Sequence, residues 1–160
     1  MKKILLTAAL LSAAFAAHAE VRTEKTISAN LAQTLAANTV AACKDKGYAV
    51  TAAVVDRAGQ VKALLRADNA GPHTIDSSLK KAYTAASAKS PTSAMMETAQ
   101  KNPGAQNLTD IPGFLLLGGG VPVKVGNEVI GAIGVGGAPG GHLDEQCAVA
   151  ALDKAKGELK

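Results

Sequence analysis

Gly113-Phe114-Leu115-Leu116-Leu117, Val121-Pro122-Val123-Lys124-Val125 and Val129-Ile130-Gly131-Ala132-Ile133-Gly134-Val135 are three apolar or β-branched runs. Gly118-Gly119-Gly120 parts the first two and the turn pair Gly126-Asn127 the last two. Short runs bounded by glycine in this way read as strands. Upstream, Ala49 to Val55 and Val61 to Ala67 flank Asp56-Arg57-Ala58-Gly59 and read as a β-hairpin.

Helices complete the pattern. Thr26 to Lys46 carries Ile27, Leu31, Leu35 and Ala42 along one side and Ala32, Ala36, Val40 and Cys43 on the next. So wide an apolar arc faces more than one neighbour. A second helix starts at His73, with Ile75, Leu79, Ala82, Tyr83 and Ala86 as its stripe. Ser90-Pro91-Thr92 stops it and opens a short helix to Ala99, and Lys101 to Pro112 reads as an irregular crossing loop. Glycine-rich Gly136 to Gly141 leads into a last helix, Asp144 to Gly157. The order α-β-β-α-α-β-β-β-α has neither alternating βα units nor a repeat. It predicts an α/β chain of the α+β kind: five strands, mainly antiparallel, with helices on the sheet's faces.

The start of the chain has a different character. Met1-Lys2-Lys3 is basic, Ile4 to Ala17 is apolar and uncharged, and Ala17-His18-Ala19 offers small residues at −3 and −1. That order predicts a secretory leader over residues 1–19, cut between Ala19 and Glu20, with one domain over residues 20–160. The apolar run is too short to span a bilayer, and no later stretch predicts membrane insertion. The expected location is periplasmic or secreted. Without Lys2 and Lys3 the 17 basic residues fall to 15 against 13 acidic ones, so the net charge drops from +4 to +2. Scattered charge and, beyond the leader, only Tyr48, Tyr83 and Phe114 as aromatics argue against nucleic-acid binding.

Cys43 and Cys147 admit two readings. If the first and last helices run antiparallel on one face, the two sulfurs approach and can form a disulfide outside the cytoplasm. Otherwise they are buried thiols packing as small apolar groups.

Val54-Val55-Asp56-Arg57-Ala58-Gly59, Arg66-Ala67-Asp68-Asn69-Ala70 and Lys80-Lys81-Ala82-Tyr83-Thr84-Ala85-Ala86 resemble the first signature of the GlcG/HbpS-like family. Gly118-Gly119-Gly120-Val121-Pro122-Val123, Gly131 to Gly137 and Asp144-Glu145-Gln146-Cys147-Ala148 resemble the second. The family also includes the C-terminal domain of propanediol-utilisation corrinoid adenosyltransferases. The resemblance implies a profilin-like sandwich, homo-oligomers (commonly octamers), and haem as cofactor in some members.

Two histidines follow the leader. His73 shares a helix side with Ser77, Lys80 and Thr84. Under the resemblance it ligates haem iron, with Arg66, Lys80 or Lys81 pairing to the propionates; otherwise it is a solvated first-turn histidine. His142, beside Asp144 and Glu145, is a candidate metal ligand, although both acids also suit a helix start. Pro139 spoils a G-x-G-x-x-G reading of Gly134 to Gly141, and no G-K-[ST] follows. No nucleophile and base fall into a catalytic pattern, so the catalytic residues stay unassigned. Three functions are therefore expected in order: an exported haem or tetrapyrrole binder; an enzyme or binding protein for a small organic acid such as a glycolate-pathway metabolite, or one that degrades haem; and an oligomeric scaffold.

Overall fold

The computed structural model describes residues 20–160. The expected leader, residues 1–19, lies outside the described residues. Helix α1 (Ala29–Lys44) is followed by strands β1 (Thr51–Asp56) and β2 (Val61–Arg66), then helices α2 (His73–Ala88) and α3 (Thr92–Lys101). A 3-10 helix (Pro103–Asp110) leads to β3 (Gly120–Val125) and β4 (Glu128–Gly136), and α4 (Gly141–Lys154) is the last long element. The strands pair in the order β2-β1-β4-β3, all antiparallel.

Local chemistry sets the ends of these elements. The Ser28 hydroxyl accepts from the Leu31 N–H and starts α1 three residues later than the hydrophobic pattern alone suggests. Asp56 Oδ1 accepts from the Ala58 and Gln60 amides at 2.9 and 3.0 Å, which fixes the turn between β1 and β2. Pro91 follows Lys89, whose left-handed φ of 54° closes α2.

The sheet separates two unequal cores. Ala52 and Val54 of β1 join Val123, Ile133 and Val135 against Leu35, Ala36 and Cys43 of α1 and Cys147 and Ala148 of α4. Ala53 and Val55, pointing the opposite way by strand alternation, pack with Ala132 against Ala82, Ala85 and Ala86 of α2. This second core is built from small residues because α2 lies directly on the sheet. A Cβ at Gly134 would run into the Ser78 carbonyl oxygen, and one at its cross-strand partner Gly120 into the Lys81 carbonyl oxygen. Cys43 and Cys147 form a disulfide across 104 positions with their Cα atoms 5.3 Å apart, tying α1 to α4.

Four strands, not five, make the described sheet. Gly113 to Leu117 is no strand. Gly113 turns with a φ of +85°, and the Leu115 N–H donates to Thr84 Oγ1 at 2.8 Å. The Leu117 carbonyl accepts from Thr92 Oγ1 at 2.7 Å. Threonine hydroxyls of α2 and α3 thus take backbone groups that a strand would have offered to a neighbour. The segment expected to be an irregular loop holds the 3-10 helix, started by Asn102, whose side chain accepts from the Gly104 N–H at 3.0 Å. Gly140 precedes α4, so that helix begins before Asp144 and ends before Gly157.

Candidate ligand site

The cations and imidazoles picked out in the sequence do not converge. His73 is the first residue of α2 and is exposed, its ring packed over Gly71. Lys80, two turns further along, is also exposed and lies 2.9 Å from Asp76. Arg66 ends β2 and donates to the Ala70 carbonyl. With Lys44, Tyr48, Asp68 and Asn69 it lines a recess of about 560 Å³ beside the C-terminus of α1. His142 stands exposed near the start of α4, over Gly140, and borders a separate recess of about 600 Å³ with Ser93, Glu145 and Gln146. Among the described residues no three His, Cys, Asp or Glu side chains gather into a metal-binding group.

Lys81 faces inward. The residue is 1% exposed, and its ammonium donates to Asp144 Oδ2 and to the Val135 carbonyl, each at 2.8 Å. Asp144 Oδ1 accepts from the Ala138 N–H at 3.0 Å. Burial pushes the Asp144 carboxyl above the ordinary carboxylate range, while the neighbouring ammonium and the Ala138 amide pull it part of the way back. The pair pins α2 and α4 to the end of β4 and leaves Lys81 no reach toward solvent. Lys81 falls with Ser78, Ala82 and Ala85 on the buried side of α2.

A third recess, of about 250 Å³, draws on residues of both the Val54–Gly59 and the Lys80–Ala86 stretches. Val55, Gly59, Val61, Leu79, Lys80, Tyr83 and Gly113 line it. Tyr83 stands between two turns: a Cβ on Gly59 would meet Cδ2 of its ring at 2.7 Å, and one on Gly113 would meet Cε1 at 3.2 Å. Both glycines have positive φ, +79° and +85°, so each turn presents bare backbone to the ring. Phe114 meets the ring edge-on, with centroids 6.2 Å apart. Haem iron is held by imidazole, thiolate, thioether or phenolate donors. The exposed imidazoles and the Tyr83 phenol are donors of the right kind, and Arg66 and Lys80 are exposed cations suited to carboxylates. These donors and cations are spread over separate recesses, Arg66 in one, His142 in another and Lys80 with Tyr83 in a third.

The fold and its surface recesses define an α+β sandwich domain with an antiparallel sheet. The model of the family described as "Haem degrading protein HbpS-like" matches residues 27–153, and the chain belongs to that family. It is 36% identical to a 15.0 kDa protein from the dhaT-dhaS intergenic region of Citrobacter freundii, over 68% of this chain and 85% of that one. GlcG of Escherichia coli K12 is 34% identical, covering 72% of this chain and 84% of GlcG. Among solved structures, HbpS superposes with a TM-score of 0.79 at 39% identity, covering 84% of this chain and 94% of HbpS. Protein ORFY of Klebsiella pneumoniae gives 0.80 at 32% identity, over 85% and 94%. The haem complex of PduOC shares the fold, with a TM-score of 0.71 at 22% identity over 80% and 94%.

Proposed function

We propose that this chain is an exported haem- or tetrapyrrole-binding protein that stores, sequesters or senses its ligand. The match to the HbpS-like family over residues 27–153 carries the reading. The buried disulfide supports an oxidising compartment, in line with the leader expected at residues 1–19. The exposed His73 and His142 imidazoles are candidate iron ligands, and Arg66 and Lys80 candidate partners of the ligand's carboxylates. When bound, the group would supply a metal centre that a side-chain donor such as an imidazole could ligate. Lys81 is given no part in binding, because its ammonium is committed to Asp144.

The chain is further proposed to assemble as a homo-oligomer, with eight copies the number that the resemblance implies. Leu65 on the edge strand β2 is 41% exposed and supports a surface that copies cover. Light scattering on purified protein measures the copy number.

Titration of the purified protein with haemin tests binding. A saturable shift of the Soret band is expected; a linear response without saturation overturns the reading. The family description favours one second reading, oxidative haem degradation. Loss of the haem spectrum with a reductant, persisting when catalase is present, would establish turnover.

A further inference from the structure

We infer that the recess beneath Tyr83 is where a planar, carboxylate-bearing macrocycle lies, with the Tyr83 phenol oxygen as its iron ligand. The inference rests on the proposed haem reading and assigns that reading a place other than His73. Composition is the first argument. Val55, Val61 and Leu79 give the recess an apolar floor, Tyr83 is its one side-chain oxygen donor, and Lys80 is its one charge. An apolar surface with a single donor and a single cation suits a flat apolar ring carrying carboxylates.

The surroundings extend that floor. Val61 pairs with Val55, and Leu64 with Ala53, on the side of the sheet that faces α2. Ile75 and Tyr83, at i−4 and i+4 from Leu79, continue the apolar strip along α2. Val61, Leu64, Ile75 and Tyr83 are 55%, 39%, 38% and 37% exposed, so the strip is open to a ligand wider than the recess itself.

Rigidity is the second argument. The Tyr83 ring is bounded by Gly59 and Gly113 and met edge-on by Phe114, which narrows the orientations open to the phenol before any ligand arrives. A preorganised donor loses little freedom on ligating a metal. On binding ferric iron the phenol releases its proton to solvent, and iron keeps its oxidation state. Lys80 is free to exchange Asp76 for a ligand carboxylate at little cost, because the Asp76 side chain is 71% exposed and such surface pairs contribute little.

The test compares ferric haemin with metal-free protoporphyrin on wild type, Tyr83→Phe, Val61→Glu and His73→Ala, each checked for an unchanged thermal transition. Tyr83→Phe is expected to lose about tenfold in haemin affinity and the phenolate-to-iron charge-transfer absorption, while protoporphyrin binding stays within about twofold. Val61→Glu, which places a carboxylate on an exposed part of the floor, is expected to weaken both ligands. If wild type binds haemin and both variants match it, the Tyr83 site is overturned and haem binding elsewhere stands; loss confined to His73→Ala assigns it there. If wild type binds neither ligand, the haem reading itself falls.

Discussion

Lys81 Nζ lies 2.8 Å from Asp144 Oδ2 in a site where the two residues are 1% and 3% exposed, joining the middle of α2 to the first turn of α4. Removing one partner from such a pair leaves the other charged and buried, which costs about 3–5 kcal/mol. Lys81→Met should therefore lose that much stability in urea denaturation at neutral pH. The double variant Lys81→Met/Asp144→Asn should recover part of it, since an amide oxygen still accepts from the Ala138 N–H and no charge is left inside.

The pair also sets a pH response. Because burial holds the Asp144 carboxyl above its ordinary range, the folded state takes up that proton before the unfolded chain does. The contribution of this group is present below the ordinary carboxylate range and is lost as pH rises through the raised value. Lys81→Met removes the opposing ammonium and raises the carboxyl further. The gap between wild type and variant should widen from mild acid to neutral pH and narrow on acidification; a gap independent of pH would refute the assignment.

Cys43 and Cys147 are both fully buried, so reductant alone should leave their bond intact and act only once denaturant opens the fold. A cross-link closing a loop of about 100 residues stabilises by up to about 4–5 kcal/mol in the chain-entropy account. Cys43→Ala/Cys147→Ala should lower the urea midpoint in proportion, with thiol labelling as the second readout.

Gly134 and Gly126 make a paired test of the close seat of α2. A methyl at Gly134 would intrude on Ser78 and Ala82, whereas nothing lies within 4 Å of one at Gly126. Gly134→Ala should cost at least about 1–3 kcal/mol as an overpacked site. Gly126→Ala should cost only its left-handed backbone strain, φ being +59°, about 1 kcal/mol. Thermal denaturation of both variants separates packing from backbone conformation.

Arg57 holds the segment preceding α1. It reaches Glu24 at 3.1 Å, Glu128 at 2.9 Å and the Lys25 carbonyl, while the Ile27 N–H donates to the Ile130 carbonyl at 2.9 Å. With the arginine side chain 22% exposed, Arg57→Ala should cost about 1 kcal/mol or less in global stability. Proteolysis of residues 20–26 should nevertheless quicken, because the local anchor is gone; unchanged cleavage would show that Ile27 alone suffices.

Much of this architecture was legible from hydrophobic period and punctuation. The hairpin around Asp56 to Gly59, the stop at Pro91 and the pairing of Val121 to Val125 with Val129 to Val135 all follow from short-range rules. Gly113 to Leu117 was not legible, because its composition suits a strand and only the distant hydroxyls of Thr84 and Thr92 decide otherwise. Lys81 was misleading for the opposite reason. A lysine is ordinarily a surface residue, and its burial depends on Asp144, 63 positions away. The Tyr83 recess escaped notice because two turns far apart in sequence, at Gly59 and Gly113, build it.

The bond between Cys43 and Cys147 also imposes an order of events. Synthesis runs from the amino end, so the first sulfur emerges with its mate still 104 positions behind. Until the final helix is made, that thiol stays open to any oxidant or stray cysteine it meets. Covalent closure is consequently among the last steps of maturation, and a batch produced where thiols stay reduced would lack the clasp.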